Sequence, residues 1–165
     1  MLALDAEPNA AHLKLAEWER IGKCRAVITQ NIDGLHQIAG SREVLELHGS
    51  VLRNYCMRCH KPYDVRDIAA GQGVPKCTCG GMIKPDVVLY EESLDSYTIN
   101  KSVEYIRNAD ILIIGGTSLA VYPAAGLINY YRGSKLVLVN KSKTPADRSA
   151  DLVIHAPIGE VFSQL

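Results

Sequence analysis

The sequence predicts an α/β fold, a doubly wound parallel sheet interrupted by one small cysteine-bearing insert, and three observations carry that reading. Four short apolar runs, Ala26-Val27-Ile28, Ile111 to Ile114, Leu136 to Val139 and Leu152-Val153-Ile154, are rich in β-branched residues, as strands covered on both faces by helices tend to be. Helix-compatible stretches, Ser102 to Asn108 and Ala120 to Tyr131, fall between the later runs, so β and α alternate. Between Val51 and Pro85 the composition changes to four cysteines, several glycines and no long apolar run.

The elements follow in order. Pro8 and Asn9 open a helix in which Ala11, Leu15, Trp18 and Ile21 recur at helical spacing, and Gly22 stops it. The run at Ala26 is the first strand. It leads into Thr29-Gln30-Asn31-Ile32-Asp33-Gly34-Leu35-His36, a polar cluster at a strand end, where open α/β sheets bind ligands. Val44-Leu45-Glu46-Leu47-His48-Gly49 then sets a histidine at the end of a second short apolar stretch, with a glycine that permits close backbone approach. Further on, Gly115-Gly116-Thr117-Ser118 ends a strand and precedes a helical stretch, where free N–H groups and small hydroxyls suit ribose or phosphate oxygens.

Within the insert, Cys56-Met-Arg-Cys59 and Cys77-Thr-Cys79-Gly80-Gly81 are separated by 17 residues, close to the spacing of zinc ribbons. The second pair is tighter than the usual two-residue gap, and Gly80 and Gly81 let the backbone turn sharply behind it. Four thiolates leave no open coordination position, so the metal is expected to be one structural zinc on Cys56, Cys59, Cys77 and Cys79. Cys56-Met-Arg-Cys59-His60 also matches the pattern for covalent haem attachment, a reading that leaves the second cysteine pair without a purpose. Cys24 stands apart and reads as a small core residue.

The bulk numbers narrow the function classes. The chain has 165 residues, 47% hydrophobic and 22% charged, which fits one globular domain with an insert: residues 1–50 and 86–165 as the nucleotide-fold domain and 51–85 as the metal-binding insert. Lys plus Arg equals Asp plus Glu at 18 each, so no positive field gathers nucleic acid or an anionic membrane. No apolar run approaches the ~20 residues of a membrane span, no export signal is recognisable, and clustered cysteines read as metal ligands in a reducing compartment. A cytoplasmic location is expected.

Taken together, Thr29 to His36, Glu46-Leu-His-Gly49, the cysteine pairs, Pro85-Asp-Val-Val88, Gly116-Thr-Ser-Leu119 through Pro123, and Asn140 resemble, in content and order, the motifs of the sirtuins of bacterial type, NAD-dependent protein-lysine deacylases. The resemblance runs from about Pro8 to the C-terminus. It implies a Rossmann-like domain with a zinc-ribbon insert, and a cleft where NAD and an acyl-lysine protein or peptide meet. It further implies His48 as general base, Gln30, Asn31, Ile32 and Asp33 around the nicotinamide and its ribose, and Gly116, Thr117, Ser118 and Asn140 on the adenosine half. Ile158 would close over the adenine. Pro85 to Glu92 would pair with the substrate peptide as an added strand. The products implied are free lysine, nicotinamide and O-acyl-ADP-ribose.

Two departures from the family pattern stand out. Family members commonly read Phe-Gly-Glu where this chain has Tyr90-Glu91-Glu92. The opening strand with its Gly-Ala-Gly pyrophosphate loop does not precede Pro8, so the sheet is expected to lack a central strand, to self-associate through exposed edges, and the 165 residues alone to be inactive. The alternative is a non-catalytic, zinc-stabilised remnant that binds peptide or NAD.

Overall fold

The structure, a computed structural model, describes residues 4–71 and 73–165. In chain order the elements are α1 (Ala10–Arg20), β1 (Val27–Thr29), α2 (Leu35–Ile38), β2 (Val44–Glu46), β3 (Gly49–Cys56), β4 (Pro62–Asp64), α3 (Val65–Ala69), β5 (Ile83–Val87), α4 (Ser96–Asn108), β6 (Ile111–Gly115), a 3-10 segment (Ala124–Tyr130), β7 (Lys135–Val139), a 3-10 turn (Pro145–Ser149), β8 (Leu152–Ile154) and α5 (Ile158–Phe162). Contacts divide the chain into two compact units, one of 4–28, Leu35–Leu45 and Ser96–Leu165, the other of Thr29–Gly34 and Glu46–Asp95. The unit that holds the cysteines is wider than 51–85 because β3 already starts at Gly49 and pairs with β5 as far as Val87.

In the first unit the parallel sheet is present, in the order β6-β7-β8. Leu112 faces Leu136 and Gly115 faces Val139 across β6 and β7, while Val137 faces Leu152 and Val139 faces Ile154 across β7 and β8. The central strand is the best covered, with Leu138 and Val139 each 1% exposed. The expectation that the apolar runs are buried on both faces fails at β6: Ile111 and Ile113, which alternation puts on one face, are 56% and 37% exposed. The run at Ala26 becomes β1, which pairs with β2, and no sheet among the described residues joins β1 to β6.

α1 begins where the sequence places it. The Asn9 Oδ1 accepts from the Ala11 and His12 N–H groups at 2.9 and 3.3 Å, and the Asn9 N–H donates to His12 Nδ1, a capping box with histidine in the usual acidic place. It ends in a Schellman motif: Lys23 N–H reaches the Trp18 carbonyl at 2.8 Å and Gly22, at φ +75°, donates to Glu19. Trp18 packs on Phe162 of α5 at 5.4 Å between ring centroids. The Glu19 carboxylate accepts from the backbone N–H groups of Arg42 and Glu43 at 2.8 and 2.9 Å, tying α1 to the loop before β2. The helix expected from Ala120 to Tyr131 is shorter and tighter, a 3-10 segment starting after Pro123. Proline disfavours a helical conformation at the residue before it, which moves the start past Tyr122.

The second unit is an antiparallel three-stranded sheet of order β4-β3-β5. Tyr63 stands opposite Asn54, and Tyr55 opposite Lys84, with an irregularity between Ser50 and Asn54. Asn54 is buried there, and its side-chain amide donates to the Val51 carbonyl at 3.1 Å, satisfying a group the break in the ladder releases.

Candidate functional site

In the first unit, the polar residues singled out from the sequence sit at the C-terminal ends of three adjacent parallel strands. Gly116, Thr117 and Ser118 follow β6, Asn140 follows β7, and Ile158 opens α5 after β8. The register aligns them, because Gly115, Val139 and Ile154 are lateral neighbours. Gly116 turns at φ +64° and donates to the Val139 carbonyl, and the Thr117 hydroxyl accepts from the Leu119 N–H at 3.2 Å. Asn140 donates from its side chain to the Ser142 carbonyl at 2.9 Å and from its backbone to Ile154 at 3.0 Å. A Cβ on Gly115 would strike the Ile158 side chain, so the glycine lets α5 seat against the end of β6.

In the second unit the loop after β1 and the turn before β3 are laced together. Leu47 N–H donates to the Thr29 carbonyl at 2.9 Å, Val51 N–H to Ile32 at 3.0 Å, and the Thr29 hydroxyl accepts from Asn31 N–H at 3.0 Å. Gln30, Ile32 and Asp33 are half-buried and Asn31 is exposed. His48 is half-buried in the turn between β2 and β3, with Nδ1 2.9 Å from the Gln30 carbonyl oxygen. A carbonyl can only accept, so Nδ1 is the donor in this bond, and in the neutral ring Nε2 is the nitrogen with a lone pair. Gly49 is at φ +75°, and a Cβ there would collide with the Asp86 carbonyl. Only glycine lets β3 lie this close to β5 immediately after the histidine.

Arg53 fixes the surroundings of that turn. Its Nη1 donates to Glu46 Oε2 at 2.7 Å and its Nε to Asp86 Oδ2 at 2.8 Å, joining the end of β2 to β5. Sequence reasoning did not single it out. Its partners lie 7 and 33 positions away, and an exposed strand arginine carries no local signal.

The segment expected to present a peptide-pairing edge includes β5, one of the two outer strands of its sheet among the described residues. The strand stops at Val87, and residues 89–92 form a turn in which Glu92 N–H donates to Leu89 and the Glu92 carboxylate accepts from Leu89 N–H and Lys84. Glu91 stands at φ +70°, a left-handed conformation, at the position where the resemblance expects glycine.

The four cysteines of the insert converge. Cys56 ends β3, where His60 N–H donates back to its carbonyl at 2.9 Å, and the second pair is closed by Cys77 N–H to Gly81 and Gly80 N–H to Cys77, both 2.8 Å. Sulfur separations are 3.5 Å for Cys56–Cys79, 3.5 Å for Cys59–Cys79 and 3.6 Å for Cys59–Cys77, and all four sulfurs lie within 4.8 Å of one another. A disulfide would require about 2.05 Å. Ligands about 2.3 Å from one ion at tetrahedral corners stand about 3.8 Å apart, close to these separations. Gly80 makes the turn at φ +82°, and Gly81 provides space, since a Cβ on it would meet Cys56 Sγ at 2.6 Å.

The electrostatics of the cluster agree with that geometry. The Cys79 N–H and the Tyr63 hydroxyl hold the Cys77 thiol down to about 5, and the Cys59 N–H lowers Cys56. The Gly81 N–H works to lower Cys79, but the sulfurs of Cys77, Cys56 and Cys59 push it up to about 12. Sulfurs this close cannot all ionise without a cation among them. The donor set is therefore positioned to bind a structural zinc, with four sulfur ligands and no coordination site left for substrate. Among the described residues, no helix is long and apolar enough to cross a membrane.

Comparison with known proteins agrees with both units. Residues 1–123 match the model of the Sir2 family. An NAD-dependent protein deacetylase of Clostridium perfringens is 62% identical over 163 residues, covering 98% of this chain and 67% of the relative. One of Clostridium tetani is 60% identical over 159 residues, covering 95% of this chain and 64% of the relative. The chain thus spans about two thirds of the length of these curated relatives. Among solved structures, Sir2 with a p53 peptide and NAD+ superposes with a TM-score of 0.91 at 42% identity, covering 98% of this chain and 70% of that one. Sir2Tm bound to a propionylated peptide gives 0.92 at 42% identity, covering 98% and 70%. With a cysteine cluster built for zinc, polar loops at the ends of parallel strands and matches of this extent, the chain belongs to the Sir2 family, the sirtuins.

Proposed function

We propose that the chain supplies the histidine, the zinc module and the adenosine-side loops of an enzyme that removes acyl groups from protein lysines at the expense of NAD, releasing nicotinamide and O-acyl-ADP-ribose. The observation that carries this reading is the His48–Gln30 hydrogen bond, because it leaves a basic nitrogen available beside the polar loop Gln30 to Asp33. NAD, when bound, supplies an electrophilic ribose carbon, with nicotinamide as leaving group, and ribose hydroxyls that accept the acyl group.

The residues of the chain divide the remaining work. His48 Nε2 takes a proton from a ribose hydroxyl so that the oxygen can attack the acyl carbon, a role suited to imidazole near neutral pH. Gln30, Asn31 and Asp33 orient the nicotinamide and its ribose, and Ile32 contributes an apolar wall that keeps water from the reacting carbon. Gly116, Thr117, Ser118 and Asn140 hold the adenosine half with backbone N–H groups and small polar side chains, and Ile158 covers the adenine. The open edge of β5 receives an acyl-lysine peptide as an added strand. Thiolates kept for a metal suit a reducing compartment, so we place the protein in the cytoplasm.

The test uses a polypeptide of the relatives' full length that carries these residues. Incubated with NAD and an acetyl-lysine peptide, it forms nicotinamide and O-acetyl-ADP-ribose in equal amounts, as read by mass spectrometry. Release of free acetate without nicotinamide would overturn the reading.

A further inference from the structure

Tyr63 lies on β4 opposite Asn54 of β3, and its side chain packs with Ile68 against the cluster of Cys56, Cys77 and Ile83. Lys61 Nζ sits 5.4 Å from its ring centroid. The ring is thus held on two sides, and the hydroxyl at its tip is withdrawn from solvent with no partner at full hydrogen-bond geometry. Leaving a buried hydroxyl in that condition is destabilising. The cluster it packs against includes the Cys77 sulfur, which can accept its proton.

Metal binding keeps that acceptor a thiolate, which accepts strongly where a thiol accepts weakly. The backbone already gives Cys56 the Arg58 N–H at 3.4 Å and Cys77 the Cys79 N–H at 3.5 Å. Tyr63 offers Cys77 a second donor, from a side chain outside the loop that carries the ligand.

We propose that Tyr63 is a positioning residue of the zinc site, its hydroxyl donating to the Cys77 thiolate and so keeping that ligand on the metal. The inference rests on the reading of the four cysteines as a zinc site. An O–H···S bond draws charge from the sulfur and restrains its side chain, so its main effect is on how fast the zinc leaves. Groups that orient metal ligands in this way typically alter affinity by about 10–100-fold.

The experiment compares the purified chain with Tyr63→Phe, which keeps the ring, and with Lys61→Ala, which removes the cation beside the ring but keeps the hydroxyl. Transfer of zinc to 4-(2-pyridylazo)resorcinol is followed by absorbance, and the sulfur-to-metal charge-transfer band is recorded after cobalt replaces zinc. Tyr63→Phe is expected to speed transfer about tenfold and to move the band to lower energy, while Lys61→Ala leaves both near the parent values. A Tyr63→Phe chain whose transfer rate lies within about twofold of the parent, with an unshifted band, overturns the proposal, as does equal acceleration by Lys61→Ala. A parent chain that holds no zinc overturns the zinc reading itself, a separate and recognisable outcome.

Discussion

His48 holds its Nδ1 2.9 Å from the carbonyl oxygen of Gln30, so one residue of the polar loop selects the tautomer of the histidine. The bond predicts a spectroscopic result that needs no substrate. With ¹⁵N-labelled histidine, long-range ¹H–¹⁵N correlation above the titration range should show His48 with its proton on Nδ1 and a bare Nε2. Free imidazole prefers the other tautomer, so a spectrum with Nε2 protonated would break the link between Gln30 and His48. In a polypeptide of the relatives' full length, His48→Ala should lower O-acetyl-ADP-ribose formation about a hundred- to ten-thousand-fold without loss of zinc.

Gly49 and Glu91 make opposite predictions from the same backbone rule. Both have positive φ, +75° and +70°, where a side chain is strained. Gly49→Ala adds to that strain a collision with the Asp86 carbonyl, whereas Gly22→Ala, also at +75°, meets nothing within 4 Å. Thermal unfolding should therefore show Gly49→Ala well below Gly22→Ala, with the latter costing about 1 kcal/mol. Glu91→Gly should raise stability by a fraction of that amount, because it relieves a residue already in the left-handed region. Equal effects of the two alanine substitutions would show that β3 and β5 separate freely at Gly49.

The cysteine geometry predicts one zinc per chain, retained through gel filtration. Cys56→Ser with Cys59→Ser should abolish it, and Gly81→Ala should weaken it, because the added methyl meets Cys56 Sγ at 2.6 Å. Chelator treatment should unfold the sheet β4-β3-β5, since Cys56 and Cys77 are themselves part of its core. Elemental analysis and circular dichroism check both statements, and full zinc content in the double serine variant would dismiss the site.

Why some of this was legible in the sequence and some was not follows from interaction range. Asn9, Gly22, the strands at 111–114 and 152–154 and the cysteine pairs announce themselves because their signals are local: a cap, a stop, a β-branched run, a fixed spacing. The 3-10 segment at Ala124–Tyr130 was misjudged in length because the helical composition of 120–131 spoke louder than Pro123. The exposure of Ile111 and Ile113 could not be read, because an apolar run records what a strand prefers and not whether anything covers it. Arg53 and Tyr63 were missed for a third reason. Their roles depend on partners brought near by strand pairing, and the residues alone, an arginine and a tyrosine on short strands, are ordinary.

Arg53 supports the last prediction, which separates its two arms. Its side chain is 54% exposed, that of Glu46 10% and that of Asp86 47%. The Asp86 arm is an ion pair open to water, and such pairs contribute about 0.2–1 kcal/mol and fade as salt rises. The Glu46 arm differs, because a carboxylate largely removed from water has less solvation to exchange for the guanidinium. Removing a cation from such a group leaves a larger penalty than the pair itself contributes. Arg53→Ala should therefore destabilise the chain by more than Asp86→Asn does, and Glu46→Gln introduced on top of Arg53→Ala should recover part of the loss. In a double-mutant cycle from urea unfolding, the Arg53–Glu46 coupling should exceed the Arg53–Asp86 coupling and change less between about 0.05 and 0.5 M salt. Glu46 is two residues before His48 and Asp86 lies beside Gly49, so Arg53→Ala should also weaken the His48–Gln30 bond and shift the Nδ1 resonance of His48. Couplings of equal size, both erased by salt, would make Arg53 a surface ion-pair residue with no hold on the histidine turn.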